Sequence, residues 1–283
     1  MAGLTIEQSS KLTNDVLQAG VIETMATESK LLSVLPFMSI EGNGYTFNKE
    51  TSLAGVEFRT LNAGYNTDMA QTESKTEKLV ILGGEAVIDR FQIEVHGNVN
   101  DLMAIEVALT SKAIAHKYEN TFLNGDTATD TNAFDGLLKR YAGATNEIAG
   151  TADIQADIDV LLDMVQGGAD AMVMSKATRR DLTAKARGYI TYSVNEFGVQ
   201  VAQFGGVNIL DVDEELLAVG EIVALRFGVR EAVSGLQSKS GLRATALGEL
   251  DVTPQLKTRI EWYVGMAVFN DKTVAIRKAY VAI

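Results

Sequence analysis

Two histidines, His96 and His116, are the only imidazoles in a chain of 283 residues that contains no cysteine. Thiol catalysis, disulfides and cysteine-rich zinc sites are excluded together, and too few imidazoles remain for most histidine-based metal or triad chemistry. His96 closes an extended run just before Gly97, and His116 lies beside an apolar stripe on a helical run. Neither accompanies a paired carboxylate motif or a nucleophile elbow. The one dense group of carboxylates is Asp211, Asp213, Glu214 and Glu215, followed by Glu221. It could hold a divalent cation, but a charge run of this kind reads first as a solvated loop. Gly125-Asp126-Thr127-Ala128-Thr129-Asp130-Thr131-Asn132 has the outline of a calcium loop. It lacks a ligand at the third position, the turn glycine at the sixth and a glutamate at the twelfth, so a capped surface turn is expected. The glycine groups Gly42-Asn43-Gly44, Gly83-Gly84 and Gly205-Gly206 do not extend into a dinucleotide or phosphate-loop pattern, and read as turns or tight strand packing. Tyr45, Phe47, Phe58 and Tyr65 could stack on bases, yet only Lys49 and Arg59 interleave with them, so packing is their expected role. No catalytic, cofactor-binding or metal-binding residue emerges.

Composition points the same way. With 37 Asp and Glu against 25 Lys and Arg the net charge is -12, which argues against unaided nucleic-acid binding because phosphate neutralisation needs clustered cations. The C-terminal segment 222–283 reverses the balance, with 9 basic against 5 acidic residues. Opposite excesses within one chain favour pairing between subunits over binding a polyanion. The length fits one large domain or two modest ones. The first residues have no basic, apolar leader pattern, and no stretch reaches the roughly 18 apolar residues of a membrane span. A soluble chain, cytoplasmic at synthesis, is the expectation.

The elements that would position these residues alternate between helix and strand. Thr5-x-x-Gln8 has capping-box spacing, and Leu12, Val16, Ile22 and Met25 form a loose apolar stripe on a helix that should lie against something else and end near Leu35, before Pro36. From Gly42 to Val95 the pattern is extended. Tyr45 and Phe47, then Val56 and Phe58, alternate with polar neighbours, and Leu79–Leu82 with Ala86–Ile88 form the return. Residues 59–78 between them hold almost no large apolar side chain, which predicts a projecting arm; such a ribbon is marginal in water without a neighbour. A helix capped by Asn98 or Asn100 runs from Asp101 to Asn124-Gly125. It carries two apolar stripes, Leu102, Ile105, Leu109 and Ala113 on one side and Met103, Val107, Ile114 and Tyr118 on the other, with Glu106 and Lys117 between them. Two stripes imply contacts on two sides. Further on, a helix is expected over 153–165 and stopped by Gly167-Gly168, a strand at Ala171–Met174, and a helix capped by Ser175 and ending at Gly188. Core strands are expected at Val207–Leu210 and Ile222–Leu225. Leu256, Thr258, Ile260, Trp262 and Val264 face one side of an amphipathic strand, joined through Asn270-Asp271-Lys272 to Val274–Ile276. The class is α+β.

In this order, the helical arm, the polar-tipped hairpin and the long helix run into Phe122-Leu123-Asn124-Gly125-Asp126 and Gly136-Leu137-Leu138. The chain thereby resembles the major capsid proteins of tailed double-stranded DNA phages, the Hong Kong 97 fold family. Asp170–Leu182 is similar to that family's axial strand and helix, and Phe204–Leu210 to the strand that follows. The resemblance implies an N-arm at 1–38, a peripheral domain with its spine helix at 39–49 and 81–125, an extended loop at 50–80, an axial domain at 126–227, and a return through the peripheral domain at 228–283. It implies a non-enzymatic protein that self-assembles into hexamers and pentamers, forming an icosahedral shell around double-stranded DNA in the virion. The partners it implies are other copies of the chain, a portal, a separate scaffolding protein, since the chain starts directly at the arm, and decoration proteins, with no membrane. Some relatives link a loop-tip lysine to a neighbouring subunit. Residues 59–74 here hold no lysine, and Lys49 and Lys75 lie at the base, so noncovalent contacts are expected instead. Two other functions stand beside this one: an encapsulin-like shell around a cargo enzyme, and a small metal-dependent enzyme using the acidic cluster.

Overall fold

The computed structural model describes residues 16–280 except 53, 63, 66–68, 70, 97–98, 195–199 and 250–252. Thr5, Gln8 and Leu12 therefore lie outside the described residues. Helix α1 (Val16–Glu28) is followed at Ser29 by a short α2 (Lys30–Val34), because the Ser29 hydroxyl accepts from the Leu32 N–H at 3.2 Å and starts a new helix. Leu35 turns extended before Pro36, as the proline demands. Val21, Ile22, Met25 and Ala26 are buried, whereas Val16 is exposed. Strand β1 (Phe37–Ile40) leads to β2 (Gly44–Ser52), β3 (Gln71–Lys78), β4 (Val80–Asp89), helix α3 (Arg90–His96) and the spine helix α4 (Val99–Asn124). At 26 residues the spine is about 39 Å long.

Several expectations change here. Strands β2 and β3 make a separate two-stranded ribbon with Tyr45 opposite Glu77 and Phe47 opposite Lys75. The return strand is thus the polar segment, and Leu79–Leu82 with Ala86–Ile88 belong to the neighbourhood of β4, which pairs elsewhere. The ribbon is solvated on most of its surface, so its strands show no apolar alternation to read. Val56 and Phe58 are not on a strand: residues 54–60 are irregular and both side chains are fully exposed. The extended run stops at Asp89, whose carboxylate accepts from the Phe91 N–H at 2.8 Å and opens α3. His96 therefore ends a helix instead of closing a strand. Asn98 is outside the described residues, and Asn100 falls inside α4.

After α4 come α5 (Leu137–Arg140), β5 (Glu147–Ile148), α6 (Ile154–Met164), β6 (Ala171–Ser175), α7 (Lys176–Ala186), a 3-10 turn at Arg187–Tyr189, β7 (Ile190–Val194), β8 (Gln200–Phe204), β9 (Val207–Val212) and β10 (Ile222–Leu225). The chain ends with β11 (Val233–Glu249), β12 (Gln255–Val268), a 3-10 turn at Asp271–Thr273 and β13 (Val274–Arg277). The expected Ser175 cap holds, accepting from the Thr178 amide, and Asp153 caps α6 by accepting from the Gln155 and Ala156 amides. Gly205-Gly206 forms the turn between β8 and β9.

Two sheets carry the fold. The first has the order β1-β11-β12-β4, the second β5-β13-β10-β6-β9-β8-β7. In β12, Thr258, Ile260, Trp262 and Val264 are buried, the face expected from their alternation. Trp262 packs at a tilt against Phe37 and Tyr118 at centroid distances of 5.2 and 5.1 Å, joining the arm, the spine and the sheet in one aromatic cluster. In the second sheet alternate side chains serve two cores. Met172, Met174, Ile222 and Ala224 lie under α6 and α7, while Ala171, Val173, Val223 and Leu225 join the core that contains the spine helix. The 17-residue strand β11 has no counterpart in the sequence reading. Its register shifts between Gln237 and Leu242 and between Ala246 and Gly248, and each bulge resets the alternation that marks a strand.

Candidate assembly surfaces

The ribbon is rigidly fixed at its base and unsupported at its end. Phe47 is buried against Phe269 with ring centroids 4.6 Å apart, and Tyr45 meets the same ring edge-on. Glu77 on β3 takes two hydrogen bonds from Arg140 of α5, at 2.5 and 2.9 Å, and the Lys75 ammonium lies 3.3 Å from it. Both members of the bidentate pair are about 10% exposed. Lys49 on β2 pairs with Asp271, which also accepts from the Tyr141 hydroxyl at 2.7 Å. Burial opposes ionisation of Asp271, but the bonds from Lys49 and Tyr141 outweigh it and hold its carboxyl below the usual range. Lys49 and Lys75, the two lysines near the loop, are thus engaged as structural cations.

Beyond this clamp the apolar side chains have nothing to cover them. Phe58, Val56, Leu61 and Met69 are each more than 85% exposed, and Arg59 lies over the Tyr65 ring at 5.0 Å. The spine helix divides in the same way. Val107, Ile114 and Tyr118 of one stripe are buried, while Ile105 and Leu109 of the other remain more than half exposed. An apolar group held out in water on a rigid support is the signature of a surface completed by another molecule.

The residues expected to bear chemistry are dispersed into ion pairs. Lys30 reaches Asp211 at 2.5 Å, Lys176 reaches Asp213 at 2.5 Å, Arg180 lies 3.8 Å from Glu214, and Lys278 lies 3.8 Å from Glu221. His116 stands 3.9 Å from Asp213 on an exposed part of the spine. Asp126 and Asp130 cap their own turn, accepting from the Ala128 and Asn132 amides, and Asp126 also pairs with Lys139. Among the described residues no three carboxylate or imidazole side chains converge as a metal site.

The group that sequence reasoning missed is Glu119. It is buried on the spine, where a cavity of about 290 Å³ separates it from Lys30, Lys176 and Asp213. Its spacing, four residues after Ala115 and three before Phe122, placed it on the buried face and could have flagged it. Burial pushes its carboxyl up to about 7 from an ordinary 4.5, against a hydrogen bond with Ser29, and the Asp213 charge adds to the rise. The folded state then holds a proton that the unfolded state releases at lower pH. The resulting stabilisation is complete below pH 4.5 and is lost as pH rises to 7, amounting to about 3 kcal/mol at its limit. Glu119→Gln is expected to melt above wild type at pH 8 and with it near pH 4, which paired thermal melts across that range would check.

The comparisons give this geometry its family. The family model described as Major capsid protein GP7 matches residues 13–157, a span that holds α1, the whole ribbon and the spine. This chain belongs to the GP7 family of major capsid proteins. It is a capsid shell protein, a structural component of the virion that assembles with copies of itself. Its fold is the Hong Kong 97 capsid fold. It is similar over 97% of both chains to the SrpI encapsulin of Synechococcus elongatus PCC 7942, at 17% identity and a TM-score of 0.68. Against Mycobacterium phage Bobi it covers 90% of this chain and 91% of that one, at 13% identity and a TM-score of 0.66. Against Microbacterium phage Oxtober96 the coverage is 89% and 91%, with 15% identity and a TM-score of 0.62. No curated protein matches the chain.

Proposed function

We propose that this chain builds the icosahedral head of a tailed phage, forming hexamers and pentamers that enclose double-stranded DNA. The observation that carries this reading is the ribbon: its base is fixed by the largely buried Glu77–Arg140 ion pair, yet its end displays Phe58, Val56, Leu61 and Met69 to water. We assign residues 1–38 to an N-arm, 50–80 to the extended loop, 39–49 and 81–125 to a peripheral domain, 126–227 to the axial domain, and 228–283 to the return. The chain is made in the host cytoplasm and works with a portal, a separate scaffolding protein and decoration proteins. The engagement of Lys49 and Lys75 in ion pairs supports a shell held by noncovalent contacts. The role is structural, without catalysis. The net charge of -12 favours an interior that confines DNA without gripping it.

Expression with and without phage scaffolding protein, followed by sedimentation and negative-stain microscopy, tests the reading; chains that never form capsomers or shells would sink it. Deleting residues 59–75 is expected to leave a folded subunit, because the described residues of that segment are almost all exposed, while lowering shell yield at least tenfold. A deletion that unfolds the subunit contradicts the projecting-arm reading, and isopeptide-linked oligomers in the mass spectrum of mature particles contradict the noncovalent one. The similarity to the SrpI encapsulin over 97% of both chains favours a second reading, a shell around protein cargo. The contents of purified particles, DNA or protein, separate the two.

A further inference from the structure

The two helices that cover the outer face of the second sheet carry charges opposed to their own dipoles. Helix α6 has Asp163 in its last turn, at the negative end of the macrodipole, and Asp159 one turn before it. Two like charges at this spacing repel, and neither aspartate pairs with a cation among the described residues. Its other acids are accounted for: Asp157 is buried against Arg277 at 2.8 Å, and Asp153 caps the helix. Helix α7 shows the reverse. Lys176 and Arg179 occupy its first turn, at the positive end, with Arg180 beside them and no acid among them. At 100° per residue Lys176 and Arg180 lie about 40° apart, and Lys185 stands on the other side of the helix, about 140–180° away. Lys185 reaches back to the Ala152 carbonyl at the start of α6. The basic side of α7 therefore faces away from α6. Arg180 is exposed there with only a 3.8 Å contact to Glu214, and Arg187 and Tyr189 are exposed in the 3-10 turn that follows α7. On α6 the exposed Val160 stands beside the two aspartates.

On α7 the Asp213 carboxylate already meets Lys176 at 2.5 Å, which leaves Arg180 with its 3.8 Å contact; on α6 the two aspartates repel, and a partner of opposite charge would relieve both sites. The two faces are complementary to each other and lie on different helices of one domain. We propose that the Asp159–Val160–Asp163 face of one copy docks on the Arg180–Arg187–Tyr189 face of the next. This is a head-to-tail contact between copies that repeats around a closed ring. The inference rests on the self-assembly reading and specifies one of its contacts. Arginine and tyrosine beside an apolar side chain are the residue types that dominate such interfaces.

The test is a charge swap. Variant one carries Asp159→Lys and Asp163→Lys, variant two Arg180→Glu and Arg187→Glu, and variant three all four. All these positions are exposed, so thermal melts of the three should stay close to wild type. Each of the first two is expected to raise the concentration needed for capsomers, read by sedimentation, about tenfold or more, and the third to restore it to within about threefold of wild type. A reversal that assembles like wild type, or a combined variant no better than its parents, overturns this contact while leaving the assembly reading intact. A wild-type chain that never leaves the monomer under any condition overturns both.

Discussion

Gly136→Ala is expected to abolish the folded subunit, giving insoluble or molten protein by near-ultraviolet circular dichroism and size exclusion. The loop that leaves the spine closes on itself at this residue: the Gly136 N–H donates to the Gly125 carbonyl at 2.8 Å. A methyl group at Gly136 would stand 2.5 Å from the Gly125 nitrogen and 2.6 Å from the Leu123 carbonyl oxygen. At Gly125 it would stand 2.2 Å from the Phe134 carbonyl oxygen. These are backbone atoms, so no rotamer change relieves the overlap, and relief means pulling the loop off the end of the spine. Phe122, Leu123, Phe134 and Leu137, all buried in the main core, would go with it. We expect a loss above 4 kcal/mol, in the range reserved for such clashes. Gly143→Ala, at an open turn where the added methyl meets nothing and only the positive φ of 72° opposes a side chain, should cost about 1–2 kcal/mol. Equal tolerance at 136 and 143 would contradict the close-packed loop. The same geometry explains why glycine stands in both short stretches that first marked the family: one loop closure uses the two of them together.

Arg140→Met should produce the next largest loss and act on the ribbon. Removing the guanidinium leaves Glu77 buried with only Lys75 near it, at 3.3 Å. A broken buried pair costs roughly 3–5 kcal/mol, and the remaining lysine places this case near 3. Glu77→Gln combined with Arg140→Met leaves no uncompensated charge and should recover at least half of that loss. Urea unfolding of the three proteins measures it. Hydrogen exchange over residues 44–78 should rise in Arg140→Met more than in the spine helix, because β3 loses its tie to α5. Uniform loosening would mean that the pair supports the core in general, not the ribbon.

The elements legible in the sequence were those whose two faces see different surroundings. Strand β12 announced itself through Trp262 and its neighbours, α6 through its stop at Gly167-Gly168 and α7 through its Ser175 cap, since stops, caps and alternation are local. Strand β3 was read as part of an unpaired arm because Gln71–Lys78 is polar on both faces. Its partner is β2, thirty residues away, and only cross-strand hydrogen bonding makes it a strand. Strand β11 was hidden by its bulges. The spine's two apolar stripes were visible, but which of them would be buried by the chain itself was not, because both have the same spacing.

The sequence by itself determined the absence of thiol chemistry, the scarcity of imidazole and the succession of arm, hairpin and spine, all of which depend on residue type and near spacing. Only the tertiary structure decided what happened to the charges. It dispersed Asp211, Asp213, Glu214 and Glu221 into ion pairs, buried Glu119 beneath the arm, and locked Glu77 to Arg140 across 63 positions. It also left His116 on the surface, 3.9 Å from Asp213. Coulombic and hydrogen-bond partners are chosen by distance in space, which spacing along the chain does not encode.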